Sequence, residues 1–466
     1  MLFGILGVFA TVTSAVRFRY GQHVAVTAHL LQSPGVMRED ESRSPRTSRH
    51  GTKVNRSRWV LAGGLAVALA ACQSDAGDVQ DEDSLSGTQS DAPENQRTDG
   101  DKGGDGDSPG DGGHGEMDGR QIFRHDTFGD EQLWTDTLRM HEVIASAVDP
   151  TTALAVGLKV DAEAVPPEVL ETADLTDPAT TVALLELDAV VGLKGQVDES
   201  GALVSVGTTC ALCHSIVDDS VAPGIGRRLD GWPNRDLDPG AIIALSPALT
   251  DDQRAVYQSW GPGLYDPRFN QDGINGPVLI PPAYGLKGVE LETYTGDGPV
   301  TYWNAYVAIT QMGGKGDFED PRIGISIDQE PDLVTSKLPA LRDYQLSLAA
   351  PPPPDGTVDR VAAERGRELF EGVAGCASCH AGPAYTDAGE KLHAADEIGA
   401  EPQYASRSAT KKYRTTPLRA LWQHPPYFHD GSAETLADVV EHYDVVFNLC
   451  LKESQKSDLV AFLQSL

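Results

Sequence analysis

Two pentapeptides of one pattern, CALCH at residues 210–214 and CASCH at residues 376–380, decide how this sequence is interpreted. In a Cys-x-x-Cys-His unit each thiol can form a thioether to a haem vinyl group, and the adjacent histidine becomes the proximal iron ligand. The two units therefore predict two covalently bound c-type haems. The predicted attachment residues and iron ligands are Cys210, Cys213, His214, Cys376, Cys379 and His380.

Two other interpretations of these cysteines explain less of the pattern. A thioredoxin-like redox pair uses one Cys-x-x-Cys unit in a βαβ context and needs no following histidine. One zinc ion would join two cysteine pairs that lie far apart in the sequence, and it would leave both histidines unexplained. The remaining cysteines, Cys72 and Cys450, do not make a disulfide scaffold.

The length and charge of the chain limit its class and its partners. The 466 residues suit two or three domains. The formal net charge is −32, whereas nucleic-acid binding needs a basic surface, so no nucleic-acid partner is expected. The same charge suits a basic protein partner or simple solubility.

Residues 54–72, VNRSRWVLAGGLAVALAAC, have the order of an export signal. Arg56 and Arg58 form a short basic start, and the apolar run that follows is too short to span a bilayer. The ending LAAC resembles the lipobox of bacterial lipoproteins. This resemblance implies a lipid on Cys72 that holds the protein at a membrane, in the periplasm or at the outer membrane or cell surface. A cleaved signal without lipid and a short membrane anchor are the alternatives.

The segments on either side of this signal are not expected to form a core. Residues 1–53 are interpreted as a mis-started extension, because a second export signal follows them. Residues 73–119 consist mainly of Asp, Gly and Ser and cannot bury a core, which predicts a disordered acidic tether.

The rest of the chain is predicted to be mostly α. Residues 120–205 form an N-terminal segment with helical spacing, and a small β-hairpin at residues 190–208 leads into Cys210. Residues 206–350 are the first predicted cytochrome c domain, which carries the reactive haem. Four prolines at residues 351–354 mark a linker, and residues 355–466 are the second cytochrome c domain, which carries the electron-transfer haem.

A helix near the C-terminus offers a ligand for the far side of the second iron. Ser432 is the predicted N-cap. Leu436, Val439, Val440 and Tyr443 share one apolar helical face. His442 is turned away from this face by about 100°. The helical geometry therefore favours Tyr443 over His442 as a group that faces the core.

The phrases RTTPLR and PYFHDGSAETLADVVEHYD, together with the two pentapeptides, resemble the bacterial di-haem cytochrome c peroxidase and MauG superfamily over residues 205–466. In that family the residue fourteen positions after the histidine of PYFHDG is the distal ligand of the second haem. Peroxidases have Met there and MauG-type enzymes have Tyr. Counted from His429 the residue is Tyr443, so the resemblance implies a His380–Tyr443 ligand pair; a core tyrosine stacked near the haem is the alternative.

The far side of the first iron is left open by the sequence. No histidine lies between His214 and His380, so Met312 is a possible ligand and an open site for peroxide or dioxygen is the favoured one. His125 and His141 are remoter candidates. A loose match around TYWNAY to the family's FWDGR phrase implies that Trp303 lies between the haems; a core tryptophan is the alternative.

Two further roles are predicted, a proton-transfer residue from its position along the chain and a calcium site from the resemblance. A distal acid or base is needed to move a proton between peroxide oxygens, and Glu319 is the first candidate, with Glu290 and Glu292 as competitors. For each of them a solvated carboxylate without a catalytic role is the alternative. The resemblance also implies a possible Ca²⁺ site built from the backbone carbonyls of His424 and Pro426.

These features predict an exported di-haem oxidoreductase of the peroxidase or MauG type. Peroxide would react at the first haem, and the second would store or relay electrons from a donor such as a small cytochrome or cupredoxin. A dioxygen-activating oxygenase is one alternative, because the hairpin and the extra segment resemble features of secreted rubber oxygenases. A non-enzymatic electron carrier is the other, and it would have Met312 on the first iron.

Overall fold

The computed structural model describes residues 117–466, which belong to one compact unit. The predictions for residues 1–53 and 54–72, and nearly all of the tether at 73–119, lie outside the described residues. Within the described part, helices predominate and five two-stranded sheets accompany them. The fold is mixed, so the mostly α prediction holds only in part.

Many helices begin with the capping chemistry that their sequences predict. Asp149, Asp177 and Asp238 each accept a backbone N–H of the first turn, and a proline follows each of them. The α-helices are α1 Gly119–His125, α2 Met140–Ala147, α3 Pro150–Ala155, α4 Pro167–Thr172, α5 Pro178–Glu186, α6 Ala211–His214, α7 Pro239–Ala244, α8 Asp251–Gln258, α9 Phe269–Asp272, α10 Val300–Tyr306, α11 Leu338–Ser347, α12 Arg360–Glu371, α13 Gln403–Ser406, α14 Leu436–Phe447 and α15 Glu453–Ser465.

The strands are short, and each pairs with one other strand. The strands are β1 Val160–Asp161, β2 Leu193–Val197, β3 Leu203–Thr208, β4 Ser215–Val217, β5 Ile225–Gly226, β6 Arg228–Asp230, β7 Leu264–Tyr265, β8 Val278–Leu279, β9 Phe318–Asp320 and β10 Ile325–Ile327. The pair β1–β5 is parallel, and β2–β3, β4–β6, β7–β8 and β9–β10 are antiparallel. π-helical turns occupy Gln132–Thr137 and Val307–Gln311, and 3₁₀ turns occupy Ala162–Ala164, Thr335–Lys337, Cys376–Ser378, Ala395–Glu397 and Leu421–Gln423.

The hairpin β2–β3 leads directly into the first pentapeptide. Its turn is closed by the side chain of Asp198, which accepts the backbone N–H groups of Ser200 and Ala202 at 2.8 and 3.1 Å. At the other end, buried Asp130 accepts the backbone N–H and the hydroxyl of Thr208 at 3.0 and 2.5 Å. These contacts fix the chain just before Cys210.

Two apolar clusters enclose the first pentapeptide. One contains Trp303 and Met312 in its buried part, and Cys210 packs against it. The other is built mainly from the N-terminal helices and β3, and Cys213 packs against it. The N-terminal segment is therefore part of the wall around the first pentapeptide.

The second pentapeptide lies beside a smaller helical cluster. Helices α12 and α15 pack closely where Gly366 meets the backbone of Asp458, at a distance that a side chain would not allow. Phe370 of α12 and Phe462 of α15 meet with ring centroids 5.1 Å apart.

The predicted start of α14 was wrong by a few residues. The N-cap is Thr435 rather than Ser432, because Thr435 and Asp438 form a reciprocal capping box. Among residues 117–466, no helix combines the length and the apolar character needed to cross a membrane.

Candidate functional site

Both pentapeptides open onto one cavity of about 1050 Å³. Its lining includes the two cysteines and the histidine of each unit. The volume exceeds the roughly 300–1,000 Å³ of an ordinary small-molecule pocket. The fold therefore brings together two units that are far apart in the sequence.

His214 is held as a proximal ligand would be. Its Nδ1 lies 3.1 Å from the backbone carbonyl oxygen of Pro281, so Nε2 is left for a metal. Burial lowers the pKa of His214 to about 4, which keeps the imidazole neutral. A neutral imidazole with its other nitrogen anchored is the form that binds iron.

His380 repeats this arrangement in the second unit. Its Nδ1 lies 2.9 Å from the backbone carbonyl oxygen of Tyr385, and burial lowers its pKa. The ring of Phe370 lies 6.2 Å from the imidazole, centroid to centroid. The two histidines thus share one tautomer and one kind of anchor, although their local backbones differ.

The cysteines fit haem attachment better than the other two interpretations. Burial raises the pKa of Cys210 and of Cys213 to about 12, so neither has the reactive thiolate of a redox pair. Among the described residues, the one cluster with metal-ligand spacing joins Cys379 to Asp387 and His393, not the four cysteines to each other. The donor set, the cavity and the two anchored imidazoles therefore fit two c-type haems. When bound, a haem supplies redox chemistry and the binding of an oxygen ligand.

Tyr443 and His442 both line the cavity, but their polar atoms are engaged differently. The Nε2 of His442 lies 3.1 Å from the backbone carbonyl oxygen of Ile398. Burial raises the pKa of Tyr443 to about 12, and its ring stacks on Phe447 at 5.7 Å and 6°. Because Nε2 of His442 is engaged by the backbone, Tyr443 is the better candidate for the ligand of the second iron.

The candidate distal ligands of the first iron differ in whether they line the cavity. Met312 is buried and lines the cavity, and its backbone carbonyl oxygen accepts the indole N–H of Trp134 at 3.0 Å. His125 and His141 are not among the residues that line the cavity. An open site and a Met312 ligand therefore stay as the two alternatives.

Trp303 is buried and lines the cavity. Its indole N–H donates to the backbone carbonyl oxygen of Glu292 at 3.0 Å. The guanidinium of Arg268 lies 5.7 Å from its ring centroid and is itself paired with Asp297. Trp303 is thus fixed at the cavity wall beside a buried ion pair.

The acid predicted at Glu319 does not reach the cavity. Glu319 lies on β9 with its side chain exposed, because its strand neighbours Phe318 and Asp320 are the residues that point inward. Glu290 is exposed as well. Glu292 lines the cavity and pairs with Arg414 at 3.0 Å. Of these three candidates, Glu292 is the one whose residue lines the cavity.

Comparison with known proteins finds relatives that match part of this chain. No family model matches the chain. The MauG methylamine utilization protein of Methylorubrum extorquens is 34% identical over 123 residues, which cover 22% of this chain and 34% of the relative. The cytochrome-c peroxidase IdrP2 of Pseudomonas sp. strain SCT is 29% identical over 153 residues, which cover 24% and 41%. These similarities support the resemblance to the di-haem peroxidase and MauG superfamily.

These matches span well under half the length of either superfamily relative. A solved MauG-like protein associated with microbial copper homeostasis aligns at 18% identity, over 42% of this chain and 77% of that protein, with a TM-score of 0.29. A likeness at that score supports no argument about the fold.

A cationic side chain, that of Arg235, lies at the calcium site that the resemblance implies. The backbone carbonyl oxygen of His424 accepts a hydrogen bond from Nη2 of Arg235 at 3.5 Å. A guanidinium at that oxygen repels a second cation. The Ca²⁺ site at His424 and Pro426 therefore remains a prediction that the contact disfavours.

One group of cavity residues was missed by the sequence analysis. Glu401, Tyr404, Tyr413 and His429 line the cavity together. His429 was used only as a counting point for Tyr443, although a histidine inside an aromatic-rich phrase is itself a signal. The chain between the second pentapeptide and α14 has little regular structure, so no periodicity could have brought these side chains together.

Proposed function

We propose that this protein is an exported di-haem c-type oxidoreductase that reacts with peroxide at the first haem and relays electrons through the second. The observation that carries the proposal is the single cavity shared by His214, His380, Tyr443 and Trp303. The named relatives, MauG and a cytochrome-c peroxidase, support this class of chemistry. The proposed location is the periplasm or the outer membrane or cell surface, with a lipid on Cys72.

Each residue then has a limited task. The cysteines hold the cofactors, and His214 and His380 bind iron through Nε2 because Nδ1 is anchored. With iron bound, Tyr443 would lose its proton and supply an anionic oxygen, which favours the ferric state at the second site. Glu292 can hold or release a proton near Trp303, since burial raises its pKa while Arg414 counteracts that rise. A small redox protein with a basic surface would suit the net charge of −32.

Met312 supports a second candidate function, that of an electron carrier. Its buried position in the cavity wall is compatible with a sixth ligand on the first iron, and such a site would bind no oxidant. The coordination of the first iron therefore separates the enzyme from the carrier.

The test is electron paramagnetic resonance of the ferric, haem-loaded full chain, repeated on Tyr443→Phe. We expect one high-spin signal and one low-spin signal, with the low-spin signal altered in Tyr443→Phe. His442→Gln is the matched control on the neighbouring residue, and it should leave both signals in place. Met312→Leu should also leave both signals in place if the first site is open.

Two results would contradict these assignments. Two low-spin signals, one of which becomes high-spin in Met312→Leu, would establish the carrier and remove the peroxidase proposal. A low-spin signal that is identical in Tyr443→Phe and the parent protein would remove Tyr443 as a ligand.

A further inference from the structure

Tyr413 has an unusual set of neighbours in the cavity wall. Its hydroxyl donates to the backbone carbonyl oxygen of Glu401 at 2.7 Å. The same oxygen lies 3.2 Å from Oε1 of Glu401 and 3.2 Å from Nε2 of His429. Nε2 and Oε1 are 2.9 Å apart. The phenol, the imidazole and the carboxylate therefore meet at one point.

Three other tyrosines of the cavity wall donate their hydroxyl groups to oxygens that are not bases. Tyr265 and Tyr284 donate to the amide oxygens of Gln311 and Gln423. Tyr294 donates to the backbone carbonyl oxygen of Leu279. Amide and carbonyl oxygens accept hydrogen bonds but do not take up a proton near neutral pH. The contact with Glu401 thus gives Tyr413 a proton acceptor that these three tyrosines lack.

The carboxylate of Glu401 is ready to accept a proton. Oε1 receives the backbone N–H of Tyr404 at 3.0 Å as well as the His429 contact. Hydrogen bonds of this kind lower the pKa of Glu401 against its partial burial, so the group is ionised near neutral pH.

Exposure gives the proton a route outward. The side chain of Glu401 is 39% exposed, whereas that of His429 is 7% exposed and Tyr413 as a whole is 4% exposed. A proton that reaches Glu401 can therefore leave to solvent while Tyr413 stays shielded from it.

We propose that Tyr413 is a redox-active residue that undergoes proton-coupled one-electron oxidation, with Glu401 as the proton acceptor and His429 as the residue that positions it. The O–H bond of Tyr413 breaks and an O–H bond forms on the Glu401 carboxylate, which becomes a neutral acid. The electron passes to the peroxide-oxidised haem pair, which is reduced by one equivalent, and Tyr413 remains as a neutral phenoxyl radical. The peroxide arm of this proposal rests on the proposed function.

The coupling is required by the surroundings of the phenol. Burial, followed by the charge of Glu401, raises the pKa of Tyr413, so the hydroxyl does not ionise before the electron leaves. Loss of the electron alone would leave a positive charge in a buried place, which is costly unless it is neutralised. Transfer of the proton to Glu401 removes that charge.

The experiment uses the haem-loaded full chain with and without ring-deuterated tyrosine. In one arm the protein is mixed with hydrogen peroxide and frozen, and in the other it is oxidised by a flash-quenched ruthenium tris-bipyridine complex without peroxide. We expect a radical signal that narrows on tyrosine deuteration, is lost in Tyr413→Phe and Glu401→Gln, and persists in the matched control Tyr294→Phe. Unchanged haem absorption spectra check that each variant is assembled.

A signal that depends on Tyr413 in either arm supports the assignment. If peroxide leaves the haem absorption spectrum unchanged but the photochemical arm gives a Tyr413-dependent signal, the proposed function is overturned and this inference stands. A signal retained in Tyr413→Phe, or no Tyr413-dependent signal in either arm, overturns the inference. If Tyr413→Phe does not assemble, the loss or retention of the signal in Glu401→Gln decides it.

Discussion

The two pentapeptide regions hold their histidines in the same way but surround them with different chemistry. Near the first pentapeptide Thr208, Tyr265 and Gln311 supply neutral polar side chains to the cavity wall, and the carboxylate of Glu292 is paired with Arg414. In the second region the wall contains ionisable groups, including His393, Glu401 and His429. A neutral, apolar wall suits the binding of a small oxygen ligand. An ionisable wall suits a site where electron transfer must be matched by proton movement.

The strongest way to separate the regions is to remove one cofactor at a time. We expect Cys210→Ser with Cys213→Ser to leave one covalent haem, and Cys376→Ser with Cys379→Ser to leave the other. Intact mass spectrometry counts the haems. Only the first pair should abolish the reaction with peroxide directly, because His380 and Tyr443 are both proposed as ligands of the second haem and together would leave it no open position. A fast peroxide reaction in the Cys210/Cys213 variant would reverse the assignment of the two sites.

A smaller difference is expected in packing. Phe462 is buried between α12 and α15, and its truncation to Ala leaves a cavity beside the second pentapeptide. We expect a loss of about 3–5 kcal/mol in the free energy of unfolding. Urea unfolding followed by haem absorption measures it. Val445→Ala on α14 is the control, since Val445 is 70% exposed and its removal should change little. Equal effects of the two substitutions would contradict this packing.

The regions should also differ in the pH dependence of their stability. Burial raises the pKa of Asp130, beside the first pentapeptide, to about 8 from an ordinary value of 3.8. The folded state then holds its proton more tightly than the unfolded chain, so its contribution to stability is lost as pH rises from about 4 to about 8. Asp130→Asn should flatten this part of the unfolding curve.

The second region should behave in the opposite way. The pKa of Glu401 is lowered, so its contribution is present above the ordinary value of 4.5 and is lost as pH falls through the folded-state pKa. Glu401→Gln should therefore flatten only the acid side. Unfolding free energies measured from acid to mildly alkaline pH would show both effects, and a common pH profile for the two variants would refute the contrast.

The sequence predicted those parts of the site that depend on local pattern. The Cys-x-x-Cys-His spacing of the pentapeptides predicts haem attachment. The helical period of α14 predicts that Tyr443 faces the core, and Tyr443 lines the cavity. Glu319 failed because its assignment rested on distance along the chain, and the alternation of β9 turns that side chain outward. The contact between Tyr413 and Glu401 also joins residues that no helical or strand period relates. Its prediction would have required the long-range fold.

The anchors of the two histidines imply an order of assembly. His380 takes its anchor from Tyr385, five residues ahead, whereas His214 takes it from Pro281, 67 residues ahead. Closing the longer loop costs more chain entropy, and it cannot happen until the later segment has emerged and folded back. The second unit can therefore orient its imidazole from its own local chain. The first unit can do so only after the segment around Pro281 has packed against it.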